Sequence, residues 1–258
     1  MRGYSQESAA RVFRNSGPPL RVELADTRKK MEQDLTHQIT LKSIEPVTHD
    51  THHLVFTRPD NFDFEPGQAT DFALDKDGWR DEQRPFTFTS LPEKDTLEFV
   101  IKSYPDHNGV TEQIAKMEPG DKALIEDPWG AIEDEGPGTF IAGGAGITPF
   151  IAILRERLEK KGTLAGCTLI FSNSTEKDII LRKEFESMQG LKTIFTVTDQ
   201  DDASVHTEFV DKDFLKDHID PTLGKFYICG PDKMVDEISE TLKSFGIEDE
   251  RIIHEDFE

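Results

Sequence analysis

The residue pattern predicts two domains of different class: an antiparallel β-barrel, followed by an α/β domain built on a doubly wound parallel sheet. Three observations carry this reading. The chain has 258 residues, enough for two domains of about 100–150 residues each. Short alternating or β-branched runs separated by turn residues fill residues 38–126, the spacing of a small barrel. From residue 139 onward, strand-like runs alternate with amphipathic ones, which is how parallel β–α units are written. The change of style falls at Glu133-Asp134-Glu135-Gly136-Pro137-Gly138, a stretch with the composition of an exposed connection. The expected division is therefore a leader at 1–34, a barrel at 35–135 and an α/β domain at 136–258.

In chain order, the barrel strands are expected at 38–44, 52–58, 68–74, 85–90, 97–104 and 122–126. One helix is expected at 110–117, entered from Asn108-Gly109 and closed by Pro119-Gly120. In the second half, strands at 139–144, 167–174, 191–199 and 225–231 are paired with helices at 149–162, 179–190, 207–219 and 233–246, and a last strand lies within 250–257. Residues 136–154 form 19 positions without a charge, but five Gly and two Pro among them argue for a buried strand, a glycine turn and a helix start rather than a membrane span.

Charged residues make up 31% and apolar ones 35%, so a soluble folded protein is expected. With 30 Lys and Arg against 51 Asp and Glu, the formal charge is −21, which excludes general attraction to nucleic acid or to anionic lipid. The leader departs from this balance: residues 1–30 hold 7 basic and 3 acidic residues, leaving 23 basic and 48 acidic. It reads as an added or disordered segment opening before Met31, with a transit peptide as the competing reading. Two cysteines, Cys167 and Cys229, make neither a disulfide framework nor a zinc or iron–sulfur cluster, and suit a reducing, cytoplasmic setting. The eight histidines show no metal-ligand spacing, so no metal is expected on this chain.

The residues that could carry chemistry fall in three places. Gly143-Gly144-Ala145-Gly146-Ile147-Thr148-Pro149 follows a strand and opens a helix. It is either a turn whose amides meet a pyrophosphate or a tight structural turn. Tyr227-Ile228-Cys229-Gly230-Pro231 ends a later strand and leads into a helix through Met234. Ligands of open parallel sheets gather at the carboxyl ends of strands, so both turns can face one crevice; Cys229 is otherwise a small buried residue. Arg84-Pro85-Phe86-Thr87-Phe88-Thr89-Ser90 places Arg84, Phe86, Phe88 and Ser90 on one strand face and Thr87 and Thr89 on the other. Arg suits a phosphate and an aromatic ring a flat heterocycle, although the same run is also an ordinary barrel strand.

Together these motifs resemble the ferredoxin–NADP reductase superfamily of flavoenzymes, especially the branch of cytochrome b5 reductases and oxygenase reductase components, over about residues 37–257. Residues Arg84 to Ser90 are similar to the family's R-x-Y-[ST]-x-x-S flavin motif, with Phe86 in place of Tyr. Pro66-Gly67-Gln68, Val100-Ile101-Lys102 with Tyr104, Gly109-Val110-Thr111 and Asp127-Pro128-Trp129-Gly130 follow in the family's order. Cys229-Gly230-Pro231 with Met234 looks like its C-G-P-x-x-M, and the glycine turn looks like its nucleotide turn.

The resemblance implies FAD and either NADH or NADPH as cofactors, with hydride transfer from nicotinamide C4 to flavin N5. It implies flavin contacts from Arg84, Pro85, Phe86, Thr87, Val100, Ile101, Lys102, Gly109, Val110, Thr111 and Phe257. It implies nucleotide contacts from Gly144, Ala145, Gly146, Thr148, Pro149, Asn173, Asp178, Cys229, Gly230, Pro231 and Met234. Thr87 and Cys229 are implied to flank the reacting atoms. Glu255-Asp256-Phe257 resembles the E-x-Y ending of plant-type members, which puts Glu255 among the catalytic residues and Phe257 over the flavin. The segment from Phe171 to Arg182 is very like its cytochrome b5 reductase counterpart, whose Asp at the position of Asp178 goes with NADH; the bland alternative is a helix-capping turn, and Lys177 and Arg182 keep NADPH open.

An NAD(P)H-dependent flavoprotein reductase is thus expected, passing electrons to a ferredoxin, flavodoxin, haem protein or oxygenase component. The alternatives are an electron-transfer or regulatory subunit that does not oxidise NAD(P)H, and a free-flavin reductase.

Overall fold

The first half is wound from β1 (His37–Pro46), β2 (Thr51–Thr57), β3 (Ala69–Leu74), β4 (Arg84–Thr87), β5 (Thr96–Lys102) and β6 (Lys122–Ile125), in the sheet order β4-β3-β6-β1-β2-β5. Every pairing in it is antiparallel. The computed structural model describes residues 36–104, 108–130 and 132–254; the expected leader, 1–34, lies outside the described residues.

Period-two burial turns a row of phenylalanines inward. Phe56, Phe72, Phe88 and Phe99 are fully buried, with ring centroids 5.2–5.9 Å apart, the spacing at which aromatic quadrupoles favour edge-on contact. α1 (Val110–Ile114) adds Val110 and Ile114 to this core. It stops short of the expected 117, the chain continuing in single turns from Lys116 to Gln113 and Met117 to Ile114.

β4 is also shorter than expected, and the reason lies in how the barrel closes. Phe88 N still donates to Gln68 O at 3.0 Å, but Thr89 N donates to Glu98 O of β5 at 2.8 Å. The strand thereby crosses from one sheet edge to the other, nearly closing the barrel and covering edges that would otherwise be exposed. The expected face of Arg84, Phe86, Phe88 and Ser90 is broken by this crossing: Arg84 is exposed, Phe86 half-buried, and Phe88, Thr89 and Ser90 are all buried.

The second half holds β7 (Gly138–Gly143), β8 (Thr168–Asn173), β9 (Lys192–Val197), β10 (Lys225–Cys229) and β11 (Ile252–His254), all parallel, in the order β11-β10-β7-β8-β9. Alternate residues feed opposite faces. Phe140, Ala142, Leu169, Phe171 and Tyr227 join one core with α2 (Thr148–Lys161) and α3 (Arg182–Ser187). Ile141, Ile170, Phe226 and Ile228 join the other with α4 (Lys212–His218) and α5 (Asp232–Ser244). This is the doubly wound arrangement.

The run from Pro149 to Leu154 is buried on every side of α2, which accounts for the uncharged stretch. Among the described residues no helix is long and apolar enough to cross a membrane. α3 starts later than expected because Ile179 is extended, Ile179 and Ile180 pack in the core, and Leu181 takes φ 53°. α4 starts after Asp211, whose carboxylate caps Phe214 N at 2.9 Å.

The two cores are joined. Val100 of β5 and Ile132 belong to the same apolar cluster as α2 and β7, and a Cβ on Gly67, whose φ is +101°, would lie 2.1 Å from Ile132 O and 3.1 Å from Ile153.

Candidate functional site

The sheet order reverses between β7 and β10, the switch point where open parallel sheets leave a crevice at their carboxyl ends. Both glycine-containing turns lie there, and they interlock. A Cβ on Gly146 would stand 2.3 Å from the backbone Cys229 O, an approach that only glycine permits, and one on Gly143 would stand 2.5 Å from Met234 Sδ. Residues 144–147 form a short 3₁₀ turn, and α2 begins at Thr148, neither with a side-chain cap. Gly144, Ala145, Gly146 and Thr148 line the crevice, where a helix start places partial positive charge.

A cleft of about 560 Å³ occupies this crevice, walled on its other side by the barrel. From the barrel come Pro85, Phe86, Thr87, Val100, Ile101, Lys102 and Thr111; from the parallel domain come Gly144, Ala145, Gly146, Thr148, Asn173, Cys229, Gly230, Pro231 and Met234. The two sides meet where Thr148 Oγ1, which donates to Ala145 O at 3.1 Å, lies 3.4 Å from Thr87 Oγ1. Lys102 does not present an unpaired charge, because its Nζ sits 3.1 Å from Asp50 Oδ2. Burial raises the Asp50 carboxyl, but bonds from Thr48 and Lys102 outweigh it and hold the group below its ordinary value.

Other expected residues stand apart from the walls. Arg84 is exposed, donates to Gln83 O at 2.5 Å and lies 3.6 Å from Glu82. Gly109 is the N-cap of α1, Val110 is buried in the barrel core and Pro149 in α2. Asp178 accepts from Thr175 N at 2.9 Å and Thr175 Oγ1 at 2.6 Å, a capping box. Glu255 and Phe257 lie outside the described residues. Ala69 and Thr198 line the cleft without having been expected. Thr198 follows β9, where the strand-end rule alone would have pointed; Ala69 pairs with Thr87 and carries no chemical signal.

Two features bear on what the cleft can take. Asn173 is buried at the end of β8, and its Nδ2 has no hydrogen-bond partner among the described residues. A buried donor in that state costs about 1–3 kcal/mol, which an acceptor on a bound nucleotide relieves. Nearby, Ser204 and Arg182 hold the Glu176 carboxyl at about 2, and Arg182 also bonds Glu186 at 2.9 Å. The side-chain-free turn and the orphaned amide fit a dinucleotide. His49, Asp50 and Asp178 bring three ligand atoms within 4.8 Å. The imidazole, however, turns a different nitrogen to each carboxylate, at 3.7 and 3.6 Å, and Lys102 already neutralises Asp50.

Comparison with known proteins agrees with this geometry. An oxidoreductase FAD-binding domain model matches residues 38–133 and an oxidoreductase NAD-binding domain model residues 140–240. The NADH-cytochrome b5 reductase 2 of Mycosarcoma maydis is 32% identical over 231 residues, covering 81% of this chain; the chain spans 65% of that protein's length. The cytochrome b5 reductase domain of Ulva prolifera nitrate reductase superposes with a TM-score of 0.75 at 21% identity, covering 86% of this chain and 97% of that one. A ferredoxin NADP+ reductase from Neisseria gonorrhoeae, with bound FAD and NADP, gives 0.74 at 21% identity, covering 85% and 97%.

Proposed function

The chain belongs to the ferredoxin–NADP reductase superfamily of FAD- and NAD-binding oxidoreductases, and from that premise we propose that it oxidises NADH on a barrel-bound FAD and passes the electrons to a haem-type acceptor protein. The observation that carries this reading is the single cleft in which Thr87 and the glycine turn face each other, 3.4 Å apart at Thr148. FAD supplies the conversion between one hydride and two single electrons; the chain's part is binding and alignment.

On this reading residues 35–135 hold the flavin and 136–258 the nucleotide. Phe86, Val100 and Ile101 give the flavin ring an apolar wall, Lys102 and Thr111 polar contacts, and Arg84 with the start of α1 the phosphates. Thr87 holds a hydroxyl hydrogen bond at flavin N5. Gly144, Ala145 and Gly146 offer backbone amides to the pyrophosphate. Asn173 donates Nδ2 to the nucleotide, and Cys229, Gly230 and Pro231 keep water from the nicotinamide face.

NADH is preferred over NADPH because Arg182, one of the two cations of the segment after β8, is already bonded to Glu176 and Glu186, and the capping Asp178 carboxylate of the same segment disfavours a further phosphate. A haem-type acceptor is supported by the named activity of the cytochrome b5 reductase relatives.

The test is the visible spectrum of the FAD-loaded protein, followed without oxygen after adding NADH or NADPH. Flavin bands that bleach faster with NADH are expected, with reoxidation by a small haem protein. Flavin that neither nucleotide bleaches sinks the reading in favour of an electron-transfer subunit.

A further inference from the structure

Helix α2 begins in the cleft and then runs along the barrel, touching the Thr87–Thr89 segment twice. The first contact is Thr148 with Thr87. The second is two turns further on, where Arg155 Nη1 donates to Thr89 O at 2.9 Å. The same guanidinium grips Glu184 of α3 with both remaining edges, Nε to Oε1 at 2.6 Å and Nη2 to Oε2 at 2.9 Å. A bidentate fork of this kind fixes the direction of the arginine as well as its place. Thr89 is itself anchored, since its amide donates to Glu98 O, and the Glu98 carboxylate lies 3.0 Å from His53 on β2. One rigid helix therefore carries the glycine turn at its head and, at its middle, an arginine that two bonds fix to α3 and one bond ties to the barrel motif.

We propose that Arg155 is a positioning residue: by clamping Thr89 to α2 and α3 it sets the distance and angle at which the glycine turn faces Thr87, and so the approach of nicotinamide to flavin. This rests on the oxidoreductase reading above. The apolar contact of Val100 and Ile132 with the α2 core holds the halves together, but apolar burial has no direction and tolerates sliding. Hydrogen bonds to a carbonyl do not. The clamp sits outside the cleft walls, so it acts through the backbone and touches neither cofactor.

The experiment compares the FAD-loaded wild type with Arg155→Met, which keeps bulk and loses the donors, and with Arg155→Lys. With NADH added anaerobically, the limiting rate of flavin bleaching in Arg155→Met is expected to fall roughly tenfold to a hundredfold. Flavin content and half-saturating NADH should be nearly unchanged. The long-wavelength absorption of nicotinamide stacked on flavin should weaken, and Arg155→Lys should recover part of both effects. In the flavin-free protein, amide hydrogen exchange should quicken together at 86–90 and 143–148.

A folded Arg155→Met with wild-type rate, absorption and exchange overturns the proposal. If that variant does not fold, Glu184→Gln decides: a lowered melting temperature with unchanged limiting rate and exchange overturns it, and a slowed rate with quickened exchange supports it. If NADH fails to bleach the wild type, the oxidoreductase reading has failed, and the exchange comparison, which needs no cofactor, still judges the clamp.

Discussion

Asn173 ends β8 with its amide nitrogen buried and without a partner among the described residues, and a donor left so is poised for an acceptor. Asn173→Asp keeps the shape but replaces that donor with a charged acceptor. Its dissociation constant for NADH should rise by roughly tenfold or more, read by titration of the flavin spectrum. Arg84 poses the opposite case, because its guanidinium now rests on Gln83 and Glu82 at the surface. If it swings to a phosphate on binding, Arg84→Ala should weaken FAD about tenfold to a hundredfold, the worth of a charge-assisted bond; unchanged FAD affinity in an equilibrium dialysis would remove it from the site. At this scale the sequence told much where a residue's spacing tied it to a turn, as for Thr87, Gly146 and Cys229. It told little where a side chain had local partners to choose, as Asp178 chose Thr175. Such choices depend on neighbours a few ångströms away that spacing does not encode.

The interlocked turns make a prediction for a whole element. Gly146→Ala would drive a methyl group into Cys229 O, so the β7 and β10 turns must separate. Reduction of the flavin by NADH should be lost while the barrel still binds FAD, a split seen by comparing flavin content with bleaching. The loop after β9 is held in another way. Ser204 and Arg182 stabilise the Glu176 carboxylate and hold it at about 2, below the ordinary 4.5. The bonds are therefore complete above pH 4.5 and weaken as pH falls toward 2. The protection of the Ser204 amide, relative to its intrinsic exchange rate at each pH, should fall across that acidic window before the sheet itself opens.

Strands were read from the sequence more faithfully than helix starts, and for a physical reason. Period-two burial spans a whole strand, whereas Leu181 at φ 53° and the Asp211 cap each decide a helix start by one residue. β4 was misjudged because a barrel closes through a partner in β5 that local pattern does not name.

At the scale of the molecule, the formal charge of −21 sets the long-range field. Encounters with a cationic haem acceptor should be fastest in dilute buffer and slow as salt screens the field over a length of about 10 Å at 0.1 M. An acidic acceptor should show the reverse, and the rate of acceptor reduction against ionic strength separates the two. The order of the halves and the class of each sheet were legible because binary pattern differs between a barrel and a β–α domain. The manner of their joining was not, since Val100 and Ile132 look like ordinary members of their own half.

That joining bears on how such chains can be shuffled. A recombination breakpoint at the acidic connection would seem natural, as it lies between two well-formed sheets. Yet Val100 and Ile132 pack within the core of the downstream half, and Gly67 leaves room for Ile132 and Ile153. A hybrid cut there has a core with two parents, so a working exchange of halves must carry Gly67, Val100, Ile132 and Ile153 from one parent, wherever the cut is made.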